Sequence, residues 1–351
     1  MGNYFKNVWN SKGVKQVVSV FVASIVLCII FGIYNPNFLS KNNFIDVFRD
    51  MSPYVIVGIG QALVLITGNI DLSIGSVYGS SAMISALMMS KGGVNPYVSL
   101  LVSLIFGVAI GFVNGQLVSR FKLPPFIATL GTMFVGRGIA QFVNDSRPTS
   151  GIASGVGDEV ANAFRKVFYT TTFSVFGTTI LIALLVWALA YVFLSKTKYG
   201  RHVYAIGSNS DAARLSGVSV SKTTTTVYMI SGFCAALAGV MSVAKVTMAS
   251  PDGGNAMEMY AVAVAVIGGI STLGGIGILQ GVIIGAFMWI VLEKGLILAG
   301  FDNSIKLMVI GIIVVLAVGL DIIMRKVGDR GRLNISKKDK KATNDASTTA
   351  G

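Results

Sequence analysis

The sequence has little charge and very few of the residues that bind metals or form disulfides. Asp, Glu, Lys and Arg make up 12% of the 351 residues, and the chain has one histidine and two cysteines. His202 stands alone, which excludes a histidine-based metal cluster. Cys28 and Cys234 both lie inside apolar runs, where the expected role is that of a small core side chain. We therefore expect neither a metal site nor a disulfide.

The sequence also lacks the motifs of nucleotide-using and hydrolytic enzymes. It contains no G-x-x-x-x-G-K-[ST] loop and no Ser/His/Asp or H-E-x-x-H pattern, and the pair Gly275 and Gly277 lacks the third glycine of a dinucleotide fingerprint. The chain is therefore predicted not to be an enzyme and to bind no cofactor. If its function consumes ATP and Mg²⁺, a separate subunit must bind them.

Hydrophobic residues are abundant: they form 53% of the chain, and the mean hydropathy is +0.73. So much apolar side chain cannot be buried in one water-soluble core. Spans of about 20 residues joined by short connections leave room for roughly eight to ten helices. The sequence thus predicts an all-α, polytopic membrane protein with about ten transmembrane helices. The predicted spans are 17–34, 53–67, 77–89, 98–118, 125–143, 173–194, 226–246, 260–270, 277–292 and 305–323.

The distribution of Lys and Arg orients these spans. With the N-terminus inside, most of the 28 basic residues fall in inner segments, above all in 196–222 and after residue 323. The positive-inside rule then predicts that both termini and segment 196–222 are cytoplasmic. Since these residues occupy short loops and a tail, the net charge of +13 indicates topology and not nucleic-acid binding. We expect one transmembrane domain, 1–323, and a basic tail, 324–351, that is disordered and attracted to anionic lipid.

Two polar, glycine-containing stretches, 66–75 and 268–277, interrupt the apolar pattern. Non-helical backbone at membrane depth persists only where it is buried in protein or faces a water-filled cavity. Asp71 either caps the third helix through the free amides of its first turn or contacts a substrate, and both interpretations stay open. The candidates for a substrate path or gate are Gln61, Asn69, Asp71, Ser73, Asn114, Thr129, Thr132, Glu258, Ser271 and Thr272. Four charged residues near the outer ends of spans are expected to snorkel to the interface: Arg137, Lys245, Glu293 and Lys294.

Two rows of glycines have four-residue spacing. They are Gly107, Gly111 and Gly115 in the fourth span, and Gly277, Gly281 and Gly285 in the ninth. Such rows let helix backbones approach closely, either within one subunit or between two subunits. Because the spans concerned run in opposite directions, the rows also suggest an inverted repeat of spans two to five and seven to ten.

Several motifs, in order along the chain, resemble those of permease subunits of ABC importers for simple sugars of the ribose, xylose and galactose type. ITGNIDLSIGS (66–76) resembles the family's I-T-G-G-I-D-L-S-V-G. PPFIATLGTMFVGRGIA (124–140) resembles P-P-F-I-A-T-L-G-T-M-x-x-x-R-G, and GRHVYAIGSNSDAARLSGVSV (200–220) resembles G-R-x-x-Y-A-I-G-G-N-x-x-A-A-x-x-S-G-I-x-V. GGISTLGGIG (268–277) and GLDII (319–323) continue the match, so that the resemblance covers nearly all of 38–321.

The resemblance implies a transporter subunit of the cytoplasmic (inner) membrane that lies in the lipid bilayer beside a second permease subunit, identical or different. It further implies cytoplasmic ABC ATPase subunits, which use ATP and Mg²⁺, and an extracytoplasmic sugar-binding protein. Residues 207–218 resemble the helix that couples the permease to its ATPase; a simple solvated loop is the alternative. The implied ATPase contacts are Tyr199, Gly200, Arg201, Asp211, Ala212, Ala213, Arg214 and Gly217.

The sequence departs from the family pattern at several positions and leaves the substrate open. The departures are Asn69, Met257, Tyr260, Glu293, Lys294 and Lys306. A permease of the same family for a nucleoside or for autoinducer-2 is one alternative. A secondary transporter driven by an ion gradient is another, although Asp71 is its sole candidate for an ion site.

Overall fold

The computed structural model of the chain is a bundle of long apolar helices. It describes residues 12–169, 171–172, 176–302, 304–309, 311–313, 315–316 and 319. The helices with named bounds are α1 (Lys12–Tyr34), α2 (Lys41–Ile66), α3 (Ile74–Ser90), α4 (Pro96–Ser119), α5 (Pro125–Phe142), α6 (Ala153–Val156), α7 (Asp158–Tyr169), α8 (Thr178–Lys196), α9 (Lys198–Ser208), α10 (Ser210–Leu215), α11 (Val220–Val246), α12 (Met257–Ile267) and α13 (Gln280–Leu298). A 3-10 turn spans Pro36–Leu39, and two short antiparallel strands, β1 (Thr171–Thr172) and β2 (Phe176–Gly177), precede α8.

The first nine predicted spans each coincide with a helix, and the prediction of an all-α, polytopic membrane protein is confirmed. Five helices, α1, α4, α8, α11 and α13, contain stretches long and apolar enough to cross a membrane by length and composition. The eighth predicted span was short, and α12 indeed has 11 residues. Part of the tenth span, 305–323, and the tail lie outside the described residues. The total number of spans and the cytoplasmic position of the termini stay predictions.

Helix α2 begins twelve residues earlier than hydropathy indicated, at Lys41 and not at position 53. The side chain of Ser40 caps it by accepting a hydrogen bond from the Asn43 amide. The added turns carry Arg49 and Asp50, whose charges end an apolar run in the sequence. In the fold both side chains are largely buried and paired, so the helix continues through them.

Helix α11 lies at the centre, packed against α2, α3 and α4. Of its most apolar stretch, 78% is buried in the subunit, against 17% for α1 and 28% for both α4 and α8. The exposed faces of α1, α4 and α8 carry apolar residues such as Ile29, Ile105 and Leu189. Surfaces of this kind face lipid or another membrane helix, so the bundle has an inner and an outer layer of helices.

The glycine rows pack helices within the subunit. Gly107, Gly111 and Gly115 lie against Gly232, Tyr228 and Thr225, so the first row joins α4 to α11. In the second row, Gly281 and Gly285 lie against Gly268 and Val264 and join α13 to α12. Gly277 falls in the loop before α13, because that helix begins three residues later than predicted. Close approach within one subunit is thus the use that both rows have in this structure.

Equivalent helices of the two halves make equivalent contacts, as an inverted repeat requires. Helices α3 and α4 both contact α11, and in the other half α12 and α13 both contact α2. Helix α3 also contacts α4, as α12 contacts α13. Helices α2 and α11, which occupy equivalent places in the two halves, contact each other. This pattern supports an inverted repeat for the helices with named bounds.

Candidate functional site

The break between α2 and α3 holds a buried carboxylate, that of Asp71. One carboxylate oxygen, Oδ1, accepts hydrogen bonds from the Ser73 amide at 2.9 Å and from the Ser73 hydroxyl at 2.6 Å. The other, Oδ2, accepts from the hydroxyl of Ser231 in α11 at 2.8 Å. All three residues are at most 1% exposed. A carboxylate so far from water is tolerated because three donors replace its hydration.

The network continues from Asp71 into α4 and α5. The side-chain amide of Asn114 donates to the Ser73 hydroxyl at 2.8 Å, and its carbonyl oxygen accepts from the hydroxyl of Thr132 at 2.6 Å. The structure therefore joins four predicted candidates, Asp71, Ser73, Asn114 and Thr132. It adds Ser231, which sequence reasoning missed because nothing in its helical pattern separates it from other buried serines.

This network favours a structural or gating role for Asp71 over direct contact with a solute. Its members have at most 9% of their surface exposed, and both carboxylate oxygens are used by the protein itself. The hydroxyl of Tyr228 in α11 donates to the Ile70 carbonyl at 3.0 Å and holds the same turn from its other side. The start of α3 is thereby tied to α4, α5 and α11, and a change in one of these helices strains the bonds to the others.

The second polar interruption, 268–277, meets the first. The amide of Gly275 donates to the carbonyl of Ile66 at 2.8 Å, and Gly274 lies against the backbone of Gly68. Ser271 is 2% exposed and Thr272 is half-buried within this loop. The two stretches that stand out in the sequence therefore form one non-helical junction, partly buried in protein and partly lining a cavity.

The remaining candidates of the path are dispersed. Gln61 is fully buried in α2, and its side-chain amide has no hydrogen-bond partner among the described residues. The hydroxyl of Thr129 bonds to the Pro125 carbonyl of its own helix at 2.8 Å. Asn69 donates to the Thr67 hydroxyl at 2.8 Å and borders a cavity at the end of α2. Gln61 and Asn69 have no described hydrogen bond to the Asp71 network, and Thr129 meets it only through its backbone carbonyl, which accepts from the Thr132 hydroxyl at 3.1 Å.

Arg137 does not snorkel outward, so that prediction was wrong. Its guanidinium donates to the carbonyls of Gly253 and Gly254, both at 2.8 Å, and lies 3.7 Å from Glu258. Its side chain is 18% exposed, and that of Glu258 is 12% exposed. Arg137 ties α5 to the loop before α12, because its guanidinium satisfies two carbonyls of a tight turn there.

The prediction of snorkelling was wrong for Glu293 and Lys294 as well, whose side chains are each 17% exposed, whereas Lys245 is 44% exposed. Asp50 pairs with Lys245 at 2.6 Å and with Lys294 at 2.9 Å. Glu293 pairs with Lys306 at 3.2 Å and accepts a hydrogen bond from the Tyr54 hydroxyl at 2.9 Å. These charges lie around a cavity of about 400 Å³ between α2, α8, α11 and α13, which we call the outer cavity. It lies at the opposite end of α11 from segment 196–222.

Segment 196–222 contains two short helices, α9 and α10, and α9 is docked on the junction. Gly207 of α9 lies against the Ile66 carbonyl and the Gly275 amide, and the hydroxyl of Tyr204 donates to the Gly277 carbonyl at 2.9 Å. Burial raises the pKa of the Tyr204 phenol, which keeps this donor protonated. Helix α9 therefore contacts both polar interruptions through backbone and side chain.

The predicted coupling helix, 207–218, is shorter than expected. Helix α9 ends at Ser208, and α10 covers only Ser210–Leu215, because the Asn209 side chain caps the new helix by accepting from the Ala212 amide at 2.9 Å. Asp211 and Arg214 have side chains 82% and 71% exposed and lie 3.5 Å apart. The other exposed candidates are Tyr199, Arg201, Ala212 and Gly217.

Two of the predicted ATPase-contact residues are buried under this surface, and one exposed residue was not predicted. Gly200 is buried, and Ala213 is 5% exposed and faces its own subunit. Leu215, at the end of α10, is 85% exposed and was not singled out, because one leucine in a polar segment gives no periodic signal. A cavity of about 760 Å³ beside α10 brings Asn69 to the same face as Asp211 and Arg214.

A match to a known protein family agrees with this architecture. A family model described as "Branched-chain amino acid transport system / permease component" matches residues 43–318, from the first turn of α2 to the end of the described helices. This range includes the junction, the outer cavity and segment 196–222. The chain belongs to this permease family.

Curated relatives cover the permease almost end to end. A ribose import permease protein of Bacillus subtilis is 34% identical over 88% of this chain and 94% of its own length. A D-allose transport system permease protein of Escherichia coli is 33% identical, covering 91% and 93%. A galactose/methyl galactoside import permease protein of Haemophilus influenzae is 35% identical, covering 88% and 94%. These relatives are named as transport proteins and not as enzymes. No solved structure matches the permease significantly.

Proposed function

We propose that this permease forms the translocation path for a simple sugar in an ATP-driven importer of the cytoplasmic membrane. ATP and Mg²⁺ are used by separate ATPase subunits, an extracytoplasmic binding protein delivers the sugar, and a second permease subunit completes the path. Relatives named for ribose, allose and galactose support a monosaccharide. No observation favours a nucleoside, and Asp71 has no carboxylate oxygen free for a coupling ion.

The observation that carries this proposal is the docking of α9 on the junction, with α10 packed against α9. Helix α10 offers an exposed polar surface with one apolar residue, Leu215, and α9 lies against Ile66 and Gly275. A displacement of α10 by an ATPase therefore reaches the end of α2 through α9, which contacts both helices. From there the break at 67–73 leads to the Asp71 network and the start of α3.

Reconstituted transport tests this function. The full chain is placed in liposomes with its ATPase and binding protein, and uptake of labelled ribose, allose, galactose and fructose is measured with ATP. We expect uptake of at least one of these sugars that depends on both partners. Uptake at the same rate by the permease alone, or of none of the four sugars by the whole complex, would contradict the proposal.

Replacing Leu215 by aspartate is expected to lower sugar uptake about tenfold or more, with an unchanged amount of permease in the membrane. Burying a leucine side chain at an interface contributes about 1.5–3 kcal/mol, and a charge there also opposes docking. The measurement is co-purification of the ATPase, together with uptake. Val160→Asp is the matched control, because Val160 is an exposed apolar residue of α7, away from α10. Equal ATPase recovery with both variants would show that Leu215 does not contact the ATPase.

A further inference from the structure

We propose that the loop before α12 lines the water-filled path of the sugar, and that Asp252 and Asn255 in this loop hydrogen-bond the sugar as it passes. The loop consists of residues 250–256, the part of the connection between α11 and α12 that adjoins α12, and we call it the path loop. This inference rests on the proposed function, and it deepens that function by naming a place where this subunit contacts the solute.

The depth of the path loop follows from the packing of α3 on α4. Helix α4 is one of the helices that are long and apolar enough to cross a membrane. The hydroxyl of Ser103 in α4 donates to the Ser81 carbonyl at 3.2 Å, and the Asn114 amide donates to the Ser73 hydroxyl at 2.8 Å. The start of α3 therefore lies beside the middle of α4.

The path loop lies against this part of α3. Gly253 packs against Gly79, and Gly254 packs against Gly75. Arg137 of α5 holds the loop there by donating to the carbonyls of Gly253 and Gly254, both at 2.8 Å. Although the loop follows an end of α11, it is thus folded back to the depth at which a membrane is hydrocarbon.

Two polar side chains of the path loop are exposed at this depth. They are Asp252 and Asn255, and neither side chain has a hydrogen bond or an ion pair among the residues that the structure describes. Met259, in the first turn of α12, is also 50% exposed. A carboxylate and non-helical backbone are not tolerated against hydrocarbon, so the path loop faces water or another protein subunit.

The equivalent break in the other half of the chain uses its polar groups differently. In the inverted repeat, the connection between α11 and α12 corresponds to the break between α2 and α3, which holds Asp71. There the carboxylate is 1% exposed and accepts from donors of the protein itself. In the path loop, Arg137 satisfies the carbonyls of the turn and lies 3.7 Å from Glu258, so the loop is held without Asp252 or Asn255. Contacts within the described part of the subunit therefore give no reason for these two side chains.

The chemistry of the two side chains suits a neutral, hydroxyl-rich solute. The Asp252 carboxylate accepts hydrogen bonds, and the Asn255 amide both donates and accepts them, which matches the hydroxyls of a sugar. A dry contact with a second subunit is the alternative. It would bury the charge of Asp252, and only a cation of that subunit could offset the cost. The two alternatives differ in whether water reaches the path loop.

Cysteine labelling of the full-length permease, assembled with its partners in lipid nanodiscs, tests the proposal from both faces of the membrane. The native cysteines are removed by Cys28→Ala and Cys234→Ala. Asn255→Cys is then treated with a membrane-impermeant, positively charged methanethiosulfonate, with and without ATP. In at least one condition we expect its thiol to react about tenfold faster than that of Ile105→Cys, because only a thiol in water ionises and meets the reagent. Met259→Cys is a second position that should react as quickly.

Ile105→Cys is the matched control for depth and exposure. Ile105 is 60% exposed and lies in the middle of α4, on an apolar face. Rates for Asn255→Cys and Met259→Cys that are no higher than the rate for Ile105→Cys, with and without ATP, overturn the water-filled path at this loop.

Contact with the sugar is measured as protection of the same thiol. D-ribose, D-allose, D-galactose and D-fructose are tested, and the transported sugar is expected to slow labelling of Asn255→Cys about threefold at about twice its dissociation constant. Asp252→Ala should remove this protection, because it takes away the neighbouring acceptor, and should leave the fold intact, because the side chain is exposed. Labelling that none of the four sugars slows, or protection that Asp252→Ala leaves unchanged, overturns the contact.

ATP-driven uptake by the unaltered complex in liposomes separates this proposal from the proposed function. If a sugar is taken up and the labelling or the protection fails, the proposed function stands and only the role of the path loop is wrong. If the complex takes up none of the four sugars, the proposed function fails and the sugar contact fails with it. The labelling rate of Asn255→Cys then still decides whether the loop faces water.

Discussion

Replacing Asp71 by alanine is expected to remove most of the folded permease from the membrane. The change leaves three donors without an acceptor: the Ser73 amide, the Ser73 hydroxyl and the Ser231 hydroxyl. Each buried donor left unsatisfied costs about 1–3 kcal/mol, so the loss approaches the whole stability of an ordinary domain. The amount of permease extracted in monodisperse form and its thermal unfolding temperature measure the effect.

Asp71→Asn is the informative partner of this variant. Its carbonyl oxygen still accepts from Ser73, and the Ser231 hydroxyl can rotate to accept from the new amide group. We expect an assembled permease with reduced uptake, because the bond across to α11 loses its charge. Full uptake by Asp71→Asn would favour a capping role alone, whereas a normal yield and unfolding temperature for Asp71→Ala would contradict the importance of the network.

Replacing Gly207 by alanine is expected to lower sugar uptake more than tenfold. A Cβ atom at this position meets the Ile66 carbonyl and the Gly275 amide, which are backbone atoms that cannot rotate away. Helix α9 must then lift from the junction, and the route from α10 to α2 is interrupted. Overpacking of this kind typically costs about 1–3 kcal/mol.

Gly131→Ala is the control for Gly207→Ala. Gly131 is also inside a helix, α5, and a Cβ there meets no atom within 4 Å. Since alanine is favoured over glycine in helices by about 1 kcal/mol, this control should be as stable as the unaltered chain or more so. Uptake and ATP hydrolysis are measured on matched amounts of protein. Equal uptake by the two variants would show that contact of α9 with the junction is not needed for coupling.

The helices were predictable where apolar composition alone decides them, and less so at their ends. A helix that crosses lipid needs a continuous apolar stretch, so composition located α1, α4, α8, α11 and α13. Composition failed at the start of α2, because hydropathy treats Asp50 as a residue in water, whereas Asp50 is held by two lysines. The single helix that the family resemblance implied for 207–218 was also wrong, because the Asn209 side chain ends one helix and caps the next.

The candidate site was predictable to a similar degree. Asp71 stood out because a carboxylate is rare in membrane-depth sequence, and the stretch 268–277 because glycines with Ser271 and Thr272 interrupt an apolar pattern. The partners of Asp71 did not stand out, since Ser231 lies 160 positions away and looks like any helical serine. For the same reason Leu215 was missed, because its role depends on what surrounds it and not on a pattern.

By itself the sequence determined that this is a polytopic membrane protein, because transfer of apolar side chains out of water depends on composition. It also determined that two polar breaks interrupt the helices. Only the tertiary structure decided that these breaks meet at Ile66 and Gly275, and that Asp50 faces Lys245, 195 positions away. Hydrogen bonds and ion pairs form over about 3 Å, so their partners follow from how helices pack and not from local order along the chain.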